Sequence, residues 1–268
     1  MRGMFYVYFV GTAGSGKSTL VDVFSKWLED RDQDVVLVNL DPGAKWLPYG
    51  PDVDVRDYVS VERVMREFML GPNGAFIACA DMIASFADKI KEEVERGNPD
   101  YILVDTPGQM ELFAFREAGR VITSTLCSDR TAVVYLVDAS LMRSPSSLTA
   151  SLLLSVSVQF RLLKPQVNVL SKSDLLTKRD REIATRWFEH VDYIYSMISK
   201  EENALLGSLS QSIMSSLMEF ESLTDIIPVS SKTGEGIDDL FAHLQRIFAG
   251  GEEEFVDVGP LRADEAWY

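Results

Sequence analysis

The residues of this 268-residue chain best suited to chemistry lie in a few short stretches. Gly11-Thr12-Ala13-Gly14-Ser15-Gly16-Lys17-Ser18 fits G-x-x-x-x-G-K-[ST] without a mismatch. Its glycines let the backbone curl until consecutive N–H groups point at a β-phosphate. Lys17 adds a point charge for the β/γ oxygens, the Ser18 hydroxyl can ligate Mg²⁺, and Thr19 reaches the α-phosphate. The expected ligand is a nucleoside di- or triphosphate.

The stretch Tyr101-Ile102-Leu103-Val104-Asp105-Thr106-Pro107-Gly108-Gln109 is an apolar run ending in an acid, with glycine three residues later. In this D-x-x-G arrangement Asp105 holds Mg²⁺ through a water and the Gly108 N–H senses the γ-phosphate. Gln109 stands where a carboxamide orients an attacking water. A further stretch, Ser171-Lys172-Ser173-Asp174, resembles the N-K-x-D guanine reader with Ser in the first place. The usual Asn there ties the base loop to the phosphate loop. Asp174 accepts from N1–H and N2–H₂ of guanine, a donor pair adenine lacks, and the Lys172 stem covers one face of the base. Pro228-Val229-Ser230-Ser231-Lys232 resembles the S-A-K loop, in which a backbone N–H at Ser231 meets guanine O6.

Positioning these groups requires strand ends. Short apolar runs at Met4–Val10, Val35–Leu40, Tyr101–Asp105, Ala132–Asp138, Gln166–Leu170 and Asp225–Val229 read as strands buried on both faces. Helical patterns intervene at Lys17–Arg31, Ser144–Leu163, Lys178–Phe188 and Gly236–Phe248. The expected class is α/β, a three-layer P-loop NTPase fold with a mainly parallel sheet flanked by helices. Ser60–Met69 and Asp81–Arg96 add two helices, with the turn-like Gly71-Pro72-Asn73-Gly74 between them. A Met- and Leu-rich helix is expected over Glu201–Phe220, its stripe read chiefly as packing, with a partner-facing surface as the alternative. Residues 1–250 read as one domain with helical insertions at about 60–97 and 190–222, and 251–268 as an acidic, mobile tail.

Composition narrows the partners. The formal charge of −15 leaves no general affinity for a nucleic-acid backbone, so a polyphosphate must be met by local donors and a cation. Cys79 and Cys127 are the only cysteines and His190 and His243 the only histidines, which excludes a zinc cluster and suits a reducing cytosol. Both thiols read as buried and structural. No run is long enough for a signal peptide or a membrane span, so the expected location is cytoplasmic.

Taken together, GTAGSGKST (Gly11–Thr19), NLDP (Asn39–Pro42), DVRDY (Asp54–Tyr58), GPN (Gly71–Asn73), DTPGQMELF (Asp105–Phe113) and SKSD (Ser171–Asp174) resemble the GPN-loop GTPases. One departure is Gly43-Ala44 after NLDP, where the family places Ala directly after Pro. The resemblance implies a homodimer in which Gly71, Pro72 and Asn73 reach into the partner's site to bind the departing phosphate and position water. It also implies Asp41 in the magnesium network and Glu111 beside Gln109 in orienting the water. Arg56, Arg116 and Arg120 rank below Asn73 as transition-state donors and read as salt-bridged residues. The expected activity is Mg²⁺-dependent hydrolysis of GTP to GDP and phosphate, with nucleotide state controlling how subunits, or a subunit and a protein client, fit together. A slow-turnover GTP/GDP-holding assembly factor and a P-loop kinase are the alternatives. The kinase reading lacks an arginine cluster for a second donor site.

Overall fold

The computed structural model describes residues 3–143, 145–185, 198, 204–218 and 226–250; within them the side chains at 111, 112, 143, 145, 182–185, 204 and 218 are not described. Seven parallel strands form one sheet, in the order β3-β2-β4-β1-β5-β6-β7. They are β1 Phe5–Gly11, β2 Val35–Asn39, β3 Val53–Asp54, β4 Tyr101–Asp105, β5 Thr131–Asp138, β6 Gln166–Ser171 and β7 Ile226–Pro228. Six lie on the expected runs; β3, only two residues long, carries too little pattern to be legible. Asp225 lies outside the described residues.

Alternation along the strands explains the three layers. Tyr6, Tyr8 and Val10 of β1, with Ile102 and Val104 of β4, enter one core. Their neighbours Val7, Phe9, Tyr101 and Leu103 enter the other. Both faces are therefore apolar, and each needs a covering of helix. Helix α1 (Lys17–Glu29) buries Leu20, Val21, Phe24 and Leu28 against the second core. The helix Ile237–Gly250, α10 in chain order, adds Leu240 and Leu244 to it.

The first core is covered by α2 (Val61–Phe68), α3 (Pro72–Ser85), α4 (Ala87–Val94), α5 (Met110–Phe113), α6 (Glu117–Thr125) and α7 (Pro145–Leu162). Helix α8 spans Lys178–Thr185 and α9 Ala204–Met218. The remainder of the expected Lys178–Phe188 and Glu201–Phe220 helices, and the tail 251–268, lie outside the described residues. On α9, Met214 and Leu217 are buried, whereas Leu205 and Leu209 are 78% and 53% exposed. The packing reading therefore holds for the second half of that stripe and fails for the first. Cys79 is buried, and burial pushes its thiol up to about 11; Cys127 is only partly buried, against the expectation for both.

The largest departure concerns Gly71-Pro72-Asn73-Gly74. It is the start of a helix, not a turn. Met69 adopts φ 53° and ends α2; Gly71, extended at φ −70° and ψ 167°, caps α3, and Pro72 takes the first helical position. Ala75 N–H closes the first turn on Gly71 O at 2.9 Å. Proline suits that position because its missing N–H would have no intrahelical partner there. Burial of Ala75, Cys79 and Ile83 then carries the helix through the unfavourable Gly74. The expected single helix Asp81–Arg96 is divided at Phe86 into the end of α3 and α4. No helix of the described residues is long and apolar enough to cross a membrane.

Candidate functional site

The sheet order places β4 and β5 on either side of β1, so the loop after β1 opens where strand order reverses, the crevice in which such sheets bind ligands. Residues Thr12–Gly16 form a tight loop into α1, with the Ser15 N–H on Thr12 O at 3.2 Å. Gly14 and Gly16 hold φ of 78° and 94°, conformations that a side chain disfavours. Lys17, buried at the start of α1, donates to Gly11 O at 2.9 Å and Thr12 O at 3.0 Å. Its ammonium thus braces the loop from beneath. Burial pushes it below the ordinary lysine range, while Asp105 and Asp41 pull the other way.

Asp105, at the end of β4, is 2% exposed. Burial pushes its carboxyl above the ordinary range, opposed by the Ser18 and Tyr49 hydroxyls and by Lys17. Its Oδ2 accepts from Tyr49 Oη at 2.9 Å, whereas its Oδ1 is buried without a hydrogen-bond partner. A buried, unpartnered carboxylate oxygen close to a hydroxyl and a lysine fits a hard cation held between protein and phosphate. Three residues on, Gly108 abuts the phosphate loop: a Cβ there would lie 3.1 Å from Ala13 Cα. Thr106 ties this turn to β1 by donating to Phe9 O at 2.7 Å.

The base-reading stretch is joined to the phosphate loop directly. Ser171 is buried, and its hydroxyl reaches Ser15 O at 2.7 Å and Val137 O at 3.1 Å. Lys172, at φ 59°, lays its side chain over the loop, with Nζ on Gly14 O at 2.7 Å and on Asp138 Oδ2 at 2.6 Å. Asp138 feels opposing effects, since burial raises its carboxyl while Lys172 and the Ser140 N–H lower it; the net shift is downward. Asp174 Oδ1 accepts from Ser230 Oγ at 2.8 Å, and the Ser173 N–H donates to Val229 O at 3.1 Å. The loops after β6 and β7 are therefore one unit.

A family model described as "Conserved hypothetical ATP binding protein" matches residues 9–250. The chain is 37% identical over 237 residues to "GPN-loop GTPase PAB0955" of Pyrococcus abyssi, covering 87% of this chain and 93% of that protein. This chain belongs to the GPN-loop GTPase family. It is also 32% identical over 258 residues to "GPN-loop GTPase 1" of Schizosaccharomyces pombe, covering 92% of this chain and 70% of the relative. The crystal structure of the Pyrococcus abyssi GTPase in its apo form matches the fold with a TM-score of 0.78 at 36% identity, over 91% of this chain and 98% of that one.

Against this GPN-loop GTPase frame, the structure brings together Thr12 to Ser18, Asp105, Gly108, Lys172 and Asp174, with Thr19 on the exposed side of the first turn of α1. Asp41 lies two residues past β2, its Oδ1 accepting from the Gly43 N–H at 2.8 Å. Asn39 brackets it: Oδ1 accepts from the Asp41 N–H at 3.0 Å, and Nδ2 donates to Asp54 Oδ1 at 3.0 Å. Gln109 precedes α5, and the Glu111 side chain lies outside the described residues. Gly71, Pro72 and Asn73 are exposed, and none of the described residues hydrogen-bonds to the Asn73 side chain. The three arginines are ion-paired as expected: Arg56 with Asp54, Arg116 with Asp81 at 3.3 Å and Arg120 with Glu117 at 3.8 Å.

Sequence reasoning missed Tyr49, Asp138 and Ser230. Ser230 donates to the Asp174 carboxylate; its signal was its place between the last strand and Lys232. Asp138 ends β5, a strand end beside the phosphate loop, and that position was its signal. Tyr49 had none, because it sits in an irregular loop and meets Asp105 across 56 residues.

The Gly43 departure also finds an explanation. A Cβ on Gly43 would lie 2.5 Å from Cε1 and Cζ of Phe76, so the bare backbone admits this ring of α3. Phe76 lines a small apolar cavity with Leu40, Pro42, Pro107, Phe113 and Ile122. The inner face of the GPN helix thus rests on the loops that follow Asp41 and Asp105.

Proposed function

We infer that this chain binds GTP across the loops after β1, β6 and β7 and hydrolyses it to GDP and phosphate. One observation carries the choice of base: Ser171 links the phosphate loop to a reader whose Asp174, held by Ser230, accepts the donor pair that guanine has and adenine lacks. The names of its GPN-loop GTPase relatives agree.

The residues beside the phosphate loop fit Mg²⁺. Ser18 and Asp105, the latter through water, would hold it, with Asp41 in the surrounding network. When bound, the ion neutralises charge on the β- and γ-phosphates. The chain's own groups do the rest. Lys17 and the loop N–H groups bind the phosphates, the Gly108 N–H meets the γ-phosphate, and Gln109 with Glu111 orients the attacking water. Hydrolysis needs a positioned water and charge compensation more than covalent chemistry.

The working unit in this reading is a homodimer, with Asn73 of the partner subunit completing each site. Support comes from an exposed Asn73 bordered by Phe68, Met69, Leu70 and Ile77, of which Met69 is 89% exposed. As α3 begins at Pro72, the Asn73 and Gly74 N–H groups precede the first intrahelical bond and suit a phosphate. A protein client answering to nucleotide state is the further part of the reading, supported by exposed Phe160, Leu163 and Leu209. The cytoplasm, where GTP and Mg²⁺ are at hand, is the proposed location.

The test is phosphate release from GTP and from ATP with Mg²⁺, beside equilibrium binding of both, for wild type and Asp174→Ala. Preference for GTP that the variant loses is expected; equal handling of both nucleotides by the wild type would overturn the assignment. Single-turnover rates separate a turning-over enzyme from a slow nucleotide-holding factor.

A further inference from the structure

We propose that Tyr49 is a positioning residue for Asp105, holding one carboxylate oxygen so that the other is presented to the Mg²⁺ shell. The inference rests on the reading of Asp105 as the magnesium-side carboxylate. Its Oδ2 accepts from Tyr49 Oη at 2.9 Å, and its Oδ1 is buried with no partner. The arrangement therefore distinguishes the two oxygens. Without the phenol, the carboxylate would lose the one donor among the described residues that lies within hydrogen-bond distance and tells its two oxygens apart.

Tyr49 is itself held. Its ring packs at the margin of the second core. The loop that carries it is anchored at both ends. Arg56 donates to Ala44 O at 2.8 Å and to both oxygens of Asp54, and Asp52 Oδ2 accepts from the Leu37 N–H at 2.7 Å. Mg²⁺ demands near-ideal octahedral geometry and gives up its waters reluctantly, so a ligand fixed beforehand matters more to it than to a softer cation.

The experiment follows GDP binding by the full chain, first in chelator and then with Mg²⁺ titrated in, for wild type, Tyr49→Phe and Asp105→Asn. Tyr49→Phe is expected to bind GDP in chelator within about twofold of wild type. The Mg²⁺ concentration giving half of the metal-dependent gain should rise about tenfold to a hundredfold, the usual cost of losing a group that orients a metal ligand. An unchanged Mg²⁺ midpoint would overturn the proposal. So would an equal loss of affinity in chelator, which marks a general packing role. Asp105→Asn separates the two ideas: it should abolish the metal-dependent gain. If it retains that gain, the magnesium reading of Asp105 fails; if it loses the gain while Tyr49→Phe titrates as wild type, only the role of Tyr49 fails.

Discussion

Ser171 Oγ donates to Ser15 O at 2.7 Å, joining two loops that lie 156 residues apart. A family pattern that places Asn here uses an amide for this tie; this chain uses a hydroxyl buried against the Val137 carbonyl as well. Ser171→Ala leaves the Ser15 and Val137 carbonyls without that donor. We expect a loss of about 1–3 kcal/mol in stability and a weaker hold on GTP, with relaxed preference over ATP. Thermal unfolding and competitive binding check this, and unchanged discrimination would remove the link from the specificity argument.

Asn73→Ala should keep GTP binding near the wild-type level while slowing hydrolysis on the order of a hundredfold, the typical cost of losing one oriented polar group. In mixtures with a catalytically dead subunit that retains Asn73, the dead subunit should rescue turnover at the partner's site. Wild-type turnover by the variant on its own would rule out a role for Asn73 in the chemistry.

Gly43→Ala should lower stability by about 1–3 kcal/mol, because the new methyl group overlaps the Phe76 ring. Trimming the ring in Gly43→Ala/Phe76→Leu should recover part of that loss. Additive effects in the double-mutant cycle would show that the two positions do not share the space.

Asp54 provides the pH-dependent case. Burial alone would raise its carboxyl, but hydrogen bonds from Arg56 and Asn39 outweigh it and the net shift is downward. A depressed folded pKa contributes stability that is present above the unfolded value of about 3.9 and lost as pH falls through the folded one. The stability difference between wild type and Asp54→Asn should therefore be constant near neutrality and shrink only in acid below about pH 4. Urea unfolding across pH 3 to 7 measures it, and a difference that instead grows in acid would reverse the sign.

Much of this site was legible from the sequence because its chemistry is written in local spacing. A strand followed by G-x-x-x-x-G-K-S must curl around phosphate, and a run ending in Asp105 must present an acid at a strand end. The helix start at Pro72 was not legible. Asn73 and Gly74 have turn chemistry in isolation, and only the burial of Ala75, Cys79 and Ile83 makes them helical. Val53–Asp54 was too short to show a period.

The residue types and their order determined the family, the parallel sheet and the phosphate-loop and strand-end positions of the candidate site, since backbone curvature, charge and hydrogen-bonding pattern follow from short segments. The tertiary structure alone decided that Ser171 ties the reader to the phosphate loop, that Ser230 holds Asp174, that Gly43 makes room for Phe76 and that Tyr49 meets Asp105. Those are contacts between distant segments, and they depend on how two layers of helix close over a twisted sheet rather than on any local preference of the chain.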